Sequence, residues 1–469
     1  MKPATTVRQE LEDFLRQRGL TLHQFSEISG INVGTISSML SGYRQISIHN
    51  LDLITVGMGR GEGSLYEVYL EDCLLNLPLD WRRLGPFLRR CAELGKLDCI
   101  ERLVQAVADH LAYVPMLFET AEEFFREGKR EAAALLYDCV AECERYQHSE
   151  RLAFSRYRLF TIGLGDDQEE NMRAAVQFEP YVERLEEVAQ LEALKDLADV
   201  YASLHQWDRV NGLAVKLGEK AALALRTKRL RKIKPEGREG KNMSTSRPPL
   251  FYFLYAYLLK ANVCDARQEY EQALRYVRRY ANYEVRSSEE LSEQERQIAE
   301  QFRDWGKANT YLYRLMSGEV EVLADYAECV AAKEHEMIPA MYRILQAANR
   351  YQLNVDDLLE RFRPHFALKE RLYRFGKYNA QIVADHYVRF LTELACYDLH
   401  RQRHDLGIRN LLDSLELAIR LNHESMLFRC VQLFEQFRHV ASQERQDQYK
   451  NLICEVKRNE KKNVAVHYA

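Results

Sequence analysis

From about residue 80 onward, apolar side chains recur at the three-to-four-residue spacing of amphipathic helices, and no strand-like alternation persists. The segments run about 12 to 18 residues between brief breaks. With 21 Gly and 10 Pro in 469 residues there are few turn-formers. A sandwich or barrel of many short strands is therefore excluded in favour of an all-α chain. Such a length allows roughly three domains unless a repeat array extends one of them. The 66 basic and 70 acidic residues nearly cancel, which excludes a globally polybasic nucleic-acid binder and makes any DNA contact local.

The first sixty residues carry the clearest punctuation. Val7, Leu11, Phe14 and Leu15 form one helical stripe ended by Gly19, and Thr21 with Gln24 spells a capping box before Phe25 and Ile28, both expected on the buried side. Gly30 stops that helix. Asn32 is expected to cap a third helix, Val33 to Leu40, with Ile36 and Leu40 inward and Thr35, Ser37, Ser38 and Ser41 outward. Ser47 opens a fourth helix carrying Leu51 and Ile54. Two short helices about a tight glycine turn make a helix-turn-helix, whose second helix enters the major groove.

The run from Leu20 to Gly42, with Thr21, Phe25, Ser29-Gly30-Ile31-Asn32, Thr35-Ile36-Ser37 and Leu40-Ser41-Gly42, resembles the phage-repressor (Cro/C1, or XRE) helix-turn-helix. That family often places Arg, Gln or Lys along the recognition helix, where this chain has Val33, Gly34, Thr35, Ser37 and Ser38. Short hydroxyls and Asn32 can still read base edges or the thymine methyl, while Tyr43, Arg44 and Gln45 close the helix, with Arg44, Gln45 and Arg8 as phosphate contacts. Residues 1–60 hold six basic and five acidic side chains, a net of +1. So weak a module is expected to bind a double-stranded DNA operator as a homodimer. The alternative is a helical domain kept only for protein contacts.

Glycine occupies every second position from Gly57 to Gly63, which predicts a free linker between a DNA-binding domain at 1–56 and the remainder at 64–469. Ser64 and Glu67 have capping-box spacing for the next helix. The stretch 226–249 carries many lysines and arginines against Glu236 and Glu239 and reads as a basic loop, either solvated or touching phosphate or an acidic partner.

Within 64–469, Gly128 to Ala132, Gln206 to Val210 and Glu269 to Ala273 each end one apolar helix and open another, which places Ala132, Val210 and Ala273 at close helix contacts. Their spacing fits a loose repeat near 34 residues. Further pairs are expected over 296–332, 337–362, 378–400 and 407–440. The segment Gln268 to Tyr276 resembles the second-helix opening of a tetratricopeptide unit. The expected fold is all-α: a helix-turn-helix domain plus a right-handed tetratricopeptide-like solenoid for sensing and dimerisation.

A repressor-type helix-turn-helix before such an array resembles the peptide-pheromone (quorum-sensing) receptor regulators of Gram-positive bacteria and their phages. The resemblance implies a short signalling peptide in the concave face that resets a homodimer's grip on DNA. Stacked helix pairs present inner side chains to an extended ligand, and asparagines satisfy its backbone. Asn262, Asn309 and Asn349, with Tyr255, Tyr313 and Tyr342, are the candidate peptide contacts. Some relatives with similar arrays dock a phosphorylated response regulator instead, and a protein-docking regulator without peptide is the alternative.

Apolar residues in the late helices, including Leu411, Leu415, Leu417, Ile419, Leu421, Phe428, Val431, Leu433 and Phe434, are candidates for a dimer surface or for core. Cys139 and Cys143 share a helix face and read as core thiols. No enzyme, cofactor or metal site is expected, because phosphate-loop, H-E-x-x-H and G-x-S-x-G motifs are missing and the 13 His are dispersed. The longest apolar span, Leu250 to Leu259, is about half of what a bilayer requires, so a cytoplasmic protein without a membrane partner is expected.

Overall fold

The computed structural model describes residues 6–75, 80–147, 149–165, 167–233, 247–283, 291–331, 333, 336–366 and 376–466. The described residues are almost entirely helical and contain no strand. The chain divides into two compact units, Met1–Ile162 and Gly163–Ala469.

The first unit opens with α1 (Val7–Arg18), α2 (Leu22–Ser29), α3 (Val33–Leu40) and α4 (Ile48–Gly57). Their ends follow from local chemistry. Thr6 and Thr21 both form complete capping boxes, with Gln9 and Gln24, and Gly19 and Gly30 take the left-handed conformation that ends α1 and α2. Asn32 and Ser47 cap α3 and α4 through side-chain oxygens. Val7, Leu11, Phe25, Ile36, Met39, Leu51 and Ile54 meet in a shared core. Two expectations on these faces change. The inner pair of α2 is Phe25 and Ser29, whose hydroxyl donates to the Phe25 carbonyl at 2.7 Å, and Ile28 is left 55% exposed. In α3 the inner pair is Ile36 and Met39, with Leu40 half-buried at the edge.

The unit continues through α5 (Tyr66–Leu75), α6 (Trp81–Glu93), α7 (Leu97–Val107), α8 (Val114–Arg126), α9 (Arg130–Cys143) and α10 (Glu150–Gly163), whose last residue opens the second unit. The glycine-alternating stretch is packed, contrary to the free linker expected. Gly57 is the last residue of α4, where an added Cβ would lie 2.9 Å from the Ser29 Cβ and 3.1 Å from the Phe25 ring. Gly59 and Gly63 supply left-handed turns, and Met58 and Leu65 are buried. The Tyr66 hydroxyl donates to Asp52 at 2.6 Å, the Tyr69 hydroxyl donates to the Ile46 carbonyl at 2.9 Å, and Arg90 pairs with Asp52 at 2.9 Å. The boundary expected at 57–63 thus falls inside one compact unit. Ser64 does not cap α5, which begins at Tyr66; its N–H closes a turn on the Gly61 carbonyl.

The second unit comprises α11 (Gln168–Phe178), α12 (Glu187–Ser203), α13 (Trp207–Ile233), α14 (Pro249–Ala266), α15 (Tyr270–Ala281), α16 (Glu293–Ser317), α17 (Leu323–Ala331), α18 (Met337–Tyr351), α19 (Asp356–Phe362), α20 (Gly376–His400), α21 (His404–Arg420), α22 (Glu424–Phe437) and α23 (Gln443–Val466). The basic stretch is helical up to Ile233, and 234–246 lies outside the described residues.

One turn recurs in both units. Gly95, Gly128, His205, Gln268, Gly318, Gln352, Gln402 and Asn422 have positive φ, and the next residue's N–H returns to a carbonyl five residues back at 2.8–3.1 Å. This helix-ending bond pattern satisfies otherwise orphaned carbonyls and sends the chain back antiparallel. Just beyond three of these turns sit Ala132, Val210 and Ala273, all buried, where α8 meets α9, α12 meets α13 and α14 meets α15. No helix among the described residues is long and apolar enough to cross a membrane.

Candidate DNA-contacting surface and polar cavity

On α3 the outward side chains are those expected. Asn32 and Ser37 are exposed, while Val33, Thr35 and Ser38 are half-buried. The Asn32 carboxamide oxygen accepts from the Gly34 N–H at 2.9 Å, so this side chain is held at the helix start. Ser38 donates to the Gly34 carbonyl at 2.7 Å and Ser41 to the Ser37 carbonyl at 2.8 Å. With their protons directed at the helix backbone, these hydroxyls present acceptor lone pairs outward, which suits base amino groups. Tyr43, Arg44 and Gln45 are all exposed in the turn that follows, Tyr43 at 93%. The turn is fixed by the Arg44 N–H on the Ser38 carbonyl at 2.9 Å, and the Arg8 guanidinium lies beside Gly42. Asn32, Val33, Thr35, Ser37, Ser38, Tyr43, Arg44 and Gln45 therefore lie on one short helix with its cap and closing turn, and Arg8 reaches that turn from α1.

In the second unit a cavity of about 600 Å³ is walled by α12–α13, α14–α15, α18 and α20. Its aromatic lining is Trp207, Tyr270 and Tyr342, and its charged lining is Arg343, Arg350 and Arg389 against Asp265 and Asp385. Arg343 pairs with Asp265. Burial pushes the Asp265 carboxyl up despite that partner; burial also works against the charge of Arg343, but Asp265 and the neighbouring Tyr342, Tyr326 and Tyr313 together raise it above the usual guanidinium value. Arg343 Nε, Gln346 Oε1 and Asp385 Oδ1 are buried without a hydrogen-bond partner, and all three residues line this cavity. Buried polar atoms of this kind cost about 1–3 kcal/mol each unless something satisfies them.

Of the six residues expected to contact a peptide, Asn262 and Tyr342 line the cavity. Tyr313 is fully buried behind Asn262 and donates to its carboxamide oxygen at 3.4 Å. Asn309 donates to the Tyr280 hydroxyl at 2.9 Å, and Asn349 donates to the Glu393 carbonyl and carboxylate at 2.9 and 2.7 Å. Tyr255 donates to Asp199. These last three side chains are engaged within the fold and do not line the cavity.

Absent from the sequence reading was a cluster at the cavity's edge, where His205, Asp385 and His423 bring three ligand-type atoms within 4.8 Å of one another. The three lie far apart in the chain, in two turns and one helix, so no spacing motif could have revealed them. Of the late apolar residues, Leu411, Leu415 and Phe434 are core, and Phe428 is 70% exposed. Cys139 and Cys143 sit 3.8 Å apart, sulfur to sulfur, with Cys139 buried.

Residues 11–61 match a helix-turn-helix family. The N-terminal segment is thus a helix-turn-helix of the kind carried by DNA-binding transcriptional regulators. No curated protein matches the chain significantly. A solved structure described as a circular tandem repeat protein with novel repeat topology and enhanced subunit contact surfaces is 13% identical, with 97% of this chain and 100% of that chain covered. Its TM-score of 0.20 is too low to bear on fold or function.

Proposed function

We propose that this chain is a ligand-responsive transcriptional regulator. A homodimer binds an operator through α3 and its closing turn, and a short peptide bound in the second unit changes that binding. The observation that carries the ligand half is the cavity with its unpartnered Arg343 Nε and Gln346 Oε1. At about 600 Å³ it falls within the range of small-ligand sites, which corresponds to a few peptide residues. A peptide offers what the lining lacks: amide donors for Gln346, carbonyls or a terminal carboxylate for the arginines, and side chains for Trp207, Tyr270 and Tyr342. In this reading Asn262 and Tyr342 touch the peptide, while Asn309, Asn349, Tyr255 and Tyr313 hold the surrounding helices in place.

For such a ligand to switch DNA binding it must favour one state of the dimer over another, since equal affinity for both moves no population. The test is calorimetry with peptides encoded beside the gene, followed by gel shifts with and without the peptide. Tyr342→Ala and Gln346→Ala are expected to lose peptide affinity while keeping thermal stability and basal operator binding. If no peptide binds, or if a bound peptide leaves operator affinity unchanged, the reading yields to that of a regulator that docks another protein. The homodimer is tested separately by sedimentation. Phe428→Glu removes the largest exposed apolar side chain of α22 and is expected to shift a dimer to monomer.

A further inference from the structure

We propose that His205, Asp385 and His423 form a binding site for a divalent transition-metal ion of the zinc class, with one coordination position open to the cavity. His205 occupies the left-handed turn residue between α12 and α13, His423 precedes the first residue of α22, and Asp385 projects from α20. Three separately anchored elements thus aim two imidazole nitrogens and a carboxylate at one point. Two N ligands and one O ligand suit zinc and its borderline neighbours better than magnesium or calcium.

The geometry within the cluster favours a shared cation over internal hydrogen bonding. Asp385 and His423 are each 5% exposed. The His423 Nε2 lies 2.7 Å from Asp385 Oδ1, yet that oxygen has no aligned hydrogen bond. The other nitrogen of His423, Nδ1, is 3.3 Å from the Ser425 hydroxyl. An Nδ1–H donated to Ser425 leaves the Nε2 lone pair facing the carboxylate, the tautomer a metal requires. His205 Nε2 is 3.8 Å from Asp385 Oδ2.

A positive charge already serves this point. The Arg389 guanidinium reaches His205, lies 3.2 Å from His423 Nε2, and donates to Asp385 Oδ2 at 3.0 Å. Three lone-pair donors converge on this one guanidinium, and Asp385 Oδ1 is still left over. A metal ion satisfies all three. Arg389 also lines the cavity, so its long side chain has space to turn away as the ion enters. The site's fourth position then faces the same cavity and is free to take water or a ligand oxygen. The proposal stands independently of the peptide reading.

The test uses the full chain, stripped with chelator and titrated with zinc by calorimetry and with cobalt by absorption. One ion per chain is expected, with cobalt d–d bands and no thiolate-to-cobalt charge transfer, which separates this site from the ten cysteines. Asp385→Asn and His423→Ala should each weaken binding at least about ten-fold. Arg389→Gln should bind at least as tightly as the parent, because it removes the competing cation. Should the buried variants unfold, His205→Ala at the more exposed turn position carries the same expectation. The proposal is overturned by no binding in either the parent or Arg389→Gln, by a thiolate band, or by binding that His205→Ala and His423→Ala leave unchanged.

Discussion

Gly57→Ala separates two readings of the glycine-alternating stretch by the sign of its effect. In a free linker, alanine restricts the unfolded chain and stabilises by about 0.4–1 kcal/mol. Here the new methyl would stand 2.9 Å from the Ser29 Cβ and 3.1–3.2 Å from the Phe25 ring. Phe25 is fully buried and Ser29 is tied to the Phe25 carbonyl, so neither yields without moving α2 against α4. Overpacking of this kind costs about 1–3 kcal/mol. The helix propensity gained at the last residue of α4 offsets less than about 1 kcal/mol of it. The net is a loss of about 1–2 kcal/mol. For a unit of this size that lowers the melting temperature by about 2–8 °C. Gly61→Ala is the control, because its methyl would meet nothing within 4 Å and its φ is not positive. Calorimetric melting of the full chain should show Gly57→Ala below the parent and Gly61→Ala at or above it. A Gly57→Ala protein as stable as Gly61→Ala would refute the packing argument.

On DNA, the double change Thr35→Ala and Ser38→Ala should weaken operator binding by roughly 1 kcal/mol or more for each base edge that is no longer read. Arg44→Ala should lower the slope of log affinity against log salt by about one. Gel shifts at two salt concentrations check both, and unchanged binding in the triple variant removes α3 from the interface. Gly306→Ala should destabilise the second unit by about 1–3 kcal/mol, because its methyl would lie 2.3 Å from the Ala281 Cβ across α15 and α16; denaturant melts monitored by circular dichroism report it. Burial and the neighbouring Cys143 push the Cys139 thiol up to about 12, and burial pushes Cys396 up to about 11. Both thiols therefore stay protonated and slow toward disulfide reagents up to about pH 9, while exposed Cys454 reacts first; all ten react after unfolding. Prompt labelling of Cys139 in the native chain, read by mass spectrometry, would contradict its burial.

The elements of this fold that the sequence made legible are those decided within one or two helical turns. Thr21 with Gln24, Asn32, Ser47, Gly19 and Gly30 act on neighbours two to four residues away, so their roles could be read before any tertiary contact was known. What the sequence left illegible lies where the deciding partner is distant. Gly57 looked like freedom because its constraint comes from Ser29 and Phe25. The bonds from Asn309 to Tyr280 and from Asn349 to Glu393 could not be read either, because those partners lie on other helices. The His205, Asp385 and His423 cluster spans more than two hundred positions and carries no periodicity at all.

That same division constrains how a signal could reach the operator. Asp52 is gripped by both Tyr66 and Arg90, the Tyr69 hydroxyl holds the Ile46 carbonyl, and Arg60 pairs with Glu10 at 2.8 Å. These bonds lie on both sides of the glycines and tie the first four helices to α5 and α6. Swinging the head alone about 57–63 would break them together with the apolar packing of Met58 and Leu65, a cost of several kcal/mol at about 0.5–1.5 per hydrogen bond. Ligand coupling between sites is typically about 1–3 kcal/mol. A hinge at the glycines therefore costs more than a ligand can supply, and the element that moves must include α5 and α6 along with the reading helix. Any repositioning of α3 on DNA then carries α5 and α6 with it.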